Sequence, residues 1–186
     1  VSVDRGLTWA RQFQGKNRND SFLDVIALDE RVAIAVGAYG LYARTEDGGT
    51  TWTPRRIRED DAHLNRISAG PTGKLYIAGE AGTLLRSTDK GTSWRTLKTS
   101  YQGSFYGILP LGENLLIAHG LRGHVFRSED DGATWGELKP IGNFGGIVAM
   151  GSVVALKQPG HYMALFHDDG RFIIGNDYAG GKAKAW

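Results

Sequence analysis

The chain has 186 residues, 41% hydrophobic and 23% charged, a balance that fits one domain burying a core and excludes a disordered tail. Its 22 Lys and Arg against 20 Asp and Glu leave a net charge of +2, so no nucleic-acid partner is expected. No apolar run approaches the ~20 residues of a membrane helix, so no direct membrane insertion is expected, and zero Cys removes disulfide and thiol chemistry while leaving the compartment open.

Residues 1–14 hold a polar run, SVDRGLTW, that ends in Trp9. Residues 15–58 then read as four short strands separated by turn signals, FLDVIAL, RVAIAVG, GLYART and WTPRRI, with the run TEDGGTTW between the last two. Residues 59–100 repeat the order with LNRISA, KLYIAG, TLLRS and WRTLK around STDKGTSW, and residues 101–140 repeat it with FYGILPL, NLLIAHG, HVFRS and WGELKP around SEDDGATW. Residues 141–186 form a degenerate fifth unit: HDDG survives at 167–170, but no Trp stands at the box position after it. The tryptophans at 9, 52, 94 and 135 recur every 41 to 43 residues. Four strands of about five to six residues plus turns fill ~40 residues, the size of one propeller blade. The predicted fold is all-β, a β-propeller of four-stranded antiparallel blades. Residues 1–186 count as one domain, expected to be an incomplete portion of a larger propeller.

The recurring box is [ST]-x-D-x-G-x-[ST]-W, carried by Asp4 and Trp9, Asp47 and Trp52, Asp89 and Trp94, and Asp130 and Trp135. It falls on the hairpin between strands three and four, where the carboxylate and hydroxyl can accept bonds from turn amides and Gly can take a special backbone angle. The Trp is expected to be largely buried against the same hairpin, covering roughly 150–250 Å². Calcium is the rival reading, but TEDGGTTWTPRR lacks the alternating ligands and closing Glu of an EF-hand loop. A second signature brackets the turn between strands two and three: Gly37 and Gly40, Gly79 and Gly82, Gly120 and Gly123. Tight turns needing positive φ explain these pairs better than a phosphate-binding loop, which wants a strand-to-helix context.

The longer pattern, seen in AVGAYGLYARTEDGGTTW, IAGEAGTLLRSTDKGTSW and AHGLRGHVFRSEDDGATW, resembles the photosystem II stability and assembly factor family of Asp-box (BNR repeat) β-propellers. The resemblance covers residues 1–135 well. It implies a non-catalytic scaffold for a protein or peptide partner, including a membrane-protein segment, outside the cytoplasm and without cofactor or metal.

Arg44, Arg86 and Arg127 each stand three residues before a box Asp, so the fold should place them at equivalent points of successive blades. Two readings stand: a guanidinium patch for a carboxylate-bearing peptide, which the resemblance also implies, or pairing with box Asp residues and carbonyls between blades. At the opposite end, the strand two to three turns and blade connections offer exposed loop residues on a rigid scaffold. Tyr39, Glu80 and Arg122 are the binding candidates there, with Ala38, Ala81, Leu121 and residues 16–20, 59–61 and 101–102 around them. The alternative function is a fragment of a propeller glycoside hydrolase, sialidase-like or glucanase-like. It would need two carboxyls about 5 to 10 Å apart, and Asp20, Asp60, Asp61 and Glu80 cannot be paired from sequence. The five histidines show no metal spacing, and no oligomeric state can be read.

Overall fold

A computed structural model describes residues 1–15, 20–138, 162–166 and 172–176. Three four-stranded antiparallel sheets follow one another, each in simple up-and-down order. Sheet A holds β1 (Phe22–Ala27), β2 (Ala33–Gly37), β3 (Tyr42–Thr45) and β4 (Thr53–Pro54); sheet B holds β5 (Leu64–Ala69), β6 (Leu75–Gly79), β7 (Leu84–Ser87) and β8 (Arg95–Thr96). Sheet C holds β9 (Phe105–Pro110), β10 (Leu116–Gly120), β11 (Val125–Ser128) and β12 (Gly136–Glu137), and β13 (Tyr162–Phe166) pairs with β14 (Phe172–Asn176). The degenerate fifth unit otherwise lies outside the described residues. Among the described residues the only helical elements are 3₁₀ turns at Ala38–Gly40 and Leu121–Gly123, and no helix is long and apolar enough to cross a membrane.

The second strand of each sheet is buried on both faces, and its side chains are apolar apart from His119 on β10 and the hydroxyl of Tyr76 on β6. On β6, Leu75 and Ile77 join Ile34, Val36, Tyr42, Leu64, Ile67 and Leu85 in the core between sheets A and B. Tyr76 and Ala78, on the other face, join Leu84, Leu97, Phe105, Ile108, Leu116, Ala118 and Phe126 between sheets B and C. The first strands β1, β5 and β9 are in contact in series, so each sheet packs its neighbour along its innermost strand. Polar bonds stitch the same seam: Asn65 Nδ2 donates to the Phe105 carbonyl at 2.8 Å, and Ser68 Oγ to that of Ile108 at 2.6 Å.

Two expectations need correction. The fourth strands are two residues long, not five or six, because each pairs with only two residues of its neighbour, as Ala43 with Pro54 and Arg44 with Thr53. The box tryptophans are also less buried than expected. Trp52, Trp94 and Trp135 are half-buried and Trp9 is 75% exposed. The physical reason is that the ring is covered mainly by the preceding sheet: Trp94 packs on the A–B core, 6.1 Å edge-on to Tyr42, and Trp135 on the B–C core. No described sheet precedes Trp9.

Candidate functional site

Each box is a closed hydrogen-bonded unit. In the second, Thr45 Oγ1 donates to Asp47 Oδ1 at 2.8 Å and accepts from the Gly49 amide at 2.9 Å. The Thr51 amide donates to Asp47 Oδ1 at 2.8 Å and the Thr51 hydroxyl to Oδ2 at 2.6 Å. Ser87, Asp89 and Ser93 repeat the arrangement, as do Ser128, Asp130 and Thr134, and Ser2, Asp4 and Thr8. The hydroxyl of Thr8, Thr51 or Thr134, then the amide of the same residue, holds the carboxyls of Asp4, Asp47 and Asp130 down at about 2. Ser93 does the same to Asp89 and pushes it lower still. These oxygens face donors of their own hairpin, so the boxes act as turn locks. The residue after each box Asp takes positive φ, including the non-glycine Arg5, Lys90 and Asp131.

The six binding candidates fall into two sets at opposite ends of the sheets. Tyr39, Glu80 and Arg122 occupy the strand two to three turns, whereas Arg44, Arg86 and Arg127 stand at the box ends of β3, β7 and β11. In the turns, Tyr39 and Arg122 have φ of 56° and 61°, so non-glycine residues share the strained conformation with Gly40 and Gly82. The first glycine of each pair serves a different purpose from the expected one. A Cβ at Gly37, Gly79 or Gly120 would lie 2.1, 2.3 or 2.6 Å from the carbonyl of Ser21, His63 or Ser104. The neighbouring amides of Ala38, Glu80 and Leu121 bond those carbonyls at 2.8–2.9 Å. Close backbone approach, not positive φ, requires glycine there.

Around these turns, Tyr39 is 60% exposed and stands edge-on to His63 at 4.8 Å, and Glu80 accepts the His63 amide at 3.1 Å. Tyr101 bridges to the next turn through its hydroxyl, which donates to the Leu121 carbonyl at 3.0 Å, and packs on His124 at 4.9 Å. His124 Nδ1 lies 2.5 Å from Glu137 Oε1. The sequence reading missed His63 and Glu137, whose partners come from other turns and strands. Residues 16–19, His161 and His167 lie outside the described residues.

At the box end, Arg44 Nε donates to the Lys90 carbonyl of the next sheet at 3.3 Å and its guanidinium pairs with Glu46. Arg86 Nη1 donates to the carbonyl of the equivalent residue, Asp131, at 2.9 Å and to its Oδ2 at 2.5 Å. Arg127 pairs with Glu129 at 2.6 Å. Asp131 escaped the sequence reading. Its carboxylate also accepts Lys74 Nζ and the Tyr76 hydroxyl, each at 2.7 Å. Burial raises its pKa, but Lys74, Tyr76 and Arg86 outweigh that and leave it below the usual carboxylate range. Between sheets A and B the closure differs: Tyr42 donates to the Gly91 carbonyl at 2.8 Å, and Arg55 donates to the carbonyls of Gly91 and Thr92. Among the described residues no cluster of three or more His, Cys, Asp or Glu could hold a metal.

The family model described as "Photosynthesis system II assembly factor YCF48" matches residues 2–177. The chain belongs to this family. A relative named photosystem II assembly lipoprotein Ycf48, from Synechococcus sp. (strain CC9902), is 28% identical over 162 residues, covering 78% of this chain and 49% of the relative. The chain thus spans about half the length of that relative. The solved structure described as YCF48 bound to D1 peptide shares 30% identity over 63% of this chain and 39% of that one, with a TM-score of 0.56. A xyloglucanase from Hypocrea jecorina (strain QM6a) is 28% identical over 149 residues, 73% of this chain but 18% of the enzyme.

Proposed function

We propose that this chain is part of a non-catalytic β-propeller, longer than the three sheets described, that binds a peptide or a segment of a membrane protein during photosystem II assembly. The observation that carries it is the 30% identity and shared fold with a YCF48 structure that holds a D1 peptide, in a chain that belongs to that family. Relatives named as lipoproteins support a site of action outside the cytoplasm. Recognition is assigned to the turn end, with Tyr39, Glu80 and Arg122 as contacts, because its side chains are open to a partner. Arg44 and Arg86 are assigned first to joining sheets, because their donors are already engaged there.

A glycosidase is the second reading, favoured by the xyloglucanase relative. It is the weaker one, because two of its candidate acids are held by arginines: Asp60 by Arg58 and Asp61 by Arg56. The test is titration of the full-length protein with a fluorescent D1 peptide, alongside hydrolysis assays on xyloglucan. Saturable peptide binding weakened by Tyr39→Ala, with no sugar release, supports the proposal. Sugar release abolished by one Asp or Glu substitution overturns it.

A further inference from the structure

The turn end carries two equivalent notches, one between sheets A and B and one between sheets B and C. Each is framed by the second residue of one turn, the residue just before the next first strand and the first residue of the next turn. These are Tyr39, His63 and Glu80 in the first notch, and Ala81, Ser104 and Leu121 in the second. The chain itself closes the second: the Tyr101 hydroxyl donates to the Leu121 carbonyl at 3.0 Å, and its ring packs 5.0 Å from Phe105. In the first, the residue at the place of Tyr101 is Asp60, which Arg58 holds. That notch stays open. Tyr39 is exposed, and the side chains of His63 and Glu80 are 32% and 41% exposed.

The turn needs positive φ at its second residue, which Ala81 and Arg122 supply as Tyr39 does, but it does not need an aromatic ring there. The Tyr39 ring stands perpendicular to His63 at 4.8 Å with most of its surface in solvent. Glu80 is fixed by backbone: its amide donates to the His63 carbonyl at 2.9 Å, and its Oε2 accepts the His63 amide at 3.1 Å. Its other oxygen, Oε1, lies 3.6 Å from His63 Nδ1, longer than a hydrogen bond. Asp60 and Asp61 on the adjoining connection each have an arginine, whereas Glu80 has no lysine or arginine partner among the described residues. An exposed ring and an unclaimed carboxylate oxygen thus meet on one imidazole.

We propose that the A–B notch takes the cationic end of a Lys or Arg side chain from the docked segment, with the charge over the Tyr39 ring and paired to Glu80 Oε1. A cation within about 6 Å of an aromatic ring is attracted to its negative face, and a carboxylate adds a charge-assisted hydrogen bond. His63, in contact with both groups, sets their spacing. The inference rests on the reading of the turn end as the recognition surface and deepens it. The partner segment carries a basic residue where it crosses the seam between sheets A and B.

The test is NMR titration of the full-length protein with n-butylammonium, and with n-butanol as its uncharged counterpart, at low salt, following the Tyr39 ring and the Glu80 amide. Saturable shifts are expected with the ammonium alone. Glu80→Gln should weaken them about fivefold and Tyr39→Leu about threefold, whereas Tyr39→Phe should keep them. Glu80→Gln retains an oxygen for the His63 amide, so the melting temperature should hold. Glu59→Gln, on the same connection, should change binding less than about twofold. Equal shifts with butanol, indifference to Glu80→Gln, or equal weakening by Glu59→Gln overturns the site. An ammonium that does not bind to a protein that holds the D1 peptide through Tyr39 overturns the notch alone. A D1 peptide that does not bind, where the ammonium does, overturns the partner assigned above and supports the notch.

Discussion

Arg86 of one sheet and Asp131 of the next meet twice, side chain to side chain at 2.5 Å and side chain to backbone at 2.9 Å. The contact joins residues 45 apart in sequence, and with Lys74 and Tyr76 it turns one carboxylate into the hub of the B–C seam. Asp131 is 15% exposed in its side chain and Arg86 18%, so neither charge is returned to bulk water when the other is removed. Asp131→Ala should therefore destabilise by about 2–3 kcal/mol, leaving three donors short of an acceptor. Arg44→Gln should cost less than about 1 kcal/mol, because its carbonyl contact is longer and its carboxylate partner, Glu46, is 72% exposed. Urea unfolding of the two variants measures both, and equal losses would contradict the assignment.

The box carboxylates make the fold acid-sensitive. Asp4, Asp47 and Asp130 have folded-state values near 2, below the ordinary 3.8. A depressed carboxylate stabilises the folded state fully above its unfolded value and loses that contribution as pH falls through the folded one. The loss runs from about pH 4 to about pH 2. Thr51→Val removes the hydroxyl donor, the largest cause at Asp47, so its carboxyl should titrate closer to 3.8 in NMR and the acid transition should begin at higher pH.

The tryptophans are unequal. Trp94→Ala uncovers Ile34 and Tyr42 in the A–B core and should cost about 2–3 kcal/mol, below the value for a fully buried ring. Trp9→Ala removes a ring that is 75% exposed and should cost under about 0.5 kcal/mol. Chemical denaturation of each variant checks the contrast.

Gly79→Ala places a methyl 2.3 Å from the His63 carbonyl and must push backbone from backbone. A loss of about 2–3 kcal/mol is expected, as for an overpacked site. Gly73, at φ 77° with nothing within 4 Å, pays only for conformation, so Gly73→Ala should cost about 1 kcal/mol. Thermal melts that reverse this order would show that the backbone around Gly79 yields to a methyl group.

The repeat made the sheets legible: a 41 to 43 residue period, short strands separated by turn signals and a box at every third hairpin point to one arrangement. Within a box the bonds join residues two to four apart, a range that local chemistry reveals. The seams were not legible. Tyr76 reaches Asp131 across 55 residues and Lys74 across 57, so only packing of one sheet on the next makes them partners. The tryptophans were misjudged for the same reason, since the surface that covers Trp94 belongs to the preceding sheet. Gly37 and Gly79 were assigned to the right turn, but the carbonyl that excludes a side chain comes from the strand-one approach.

The two seams also differ in what a new neighbour would have to supply. Tyr42 and Arg55 bind peptide carbonyls at Gly91 and Thr92, groups that every residue carries, and the carboxylates of the first seam, Asp24 and Asp29, each face one cation of the next sheet, Arg66 and Lys90. The second is keyed, because Lys74, Tyr76 and Arg86 converge on a carboxylate that only Asp131 provides, at the position where the other units have Arg5, Gly48 and Lys90. A unit without an acid at that position, placed after sheet B, would thus leave three donors without their shared acceptor, whereas one placed after sheet A would forfeit single exposed pairs.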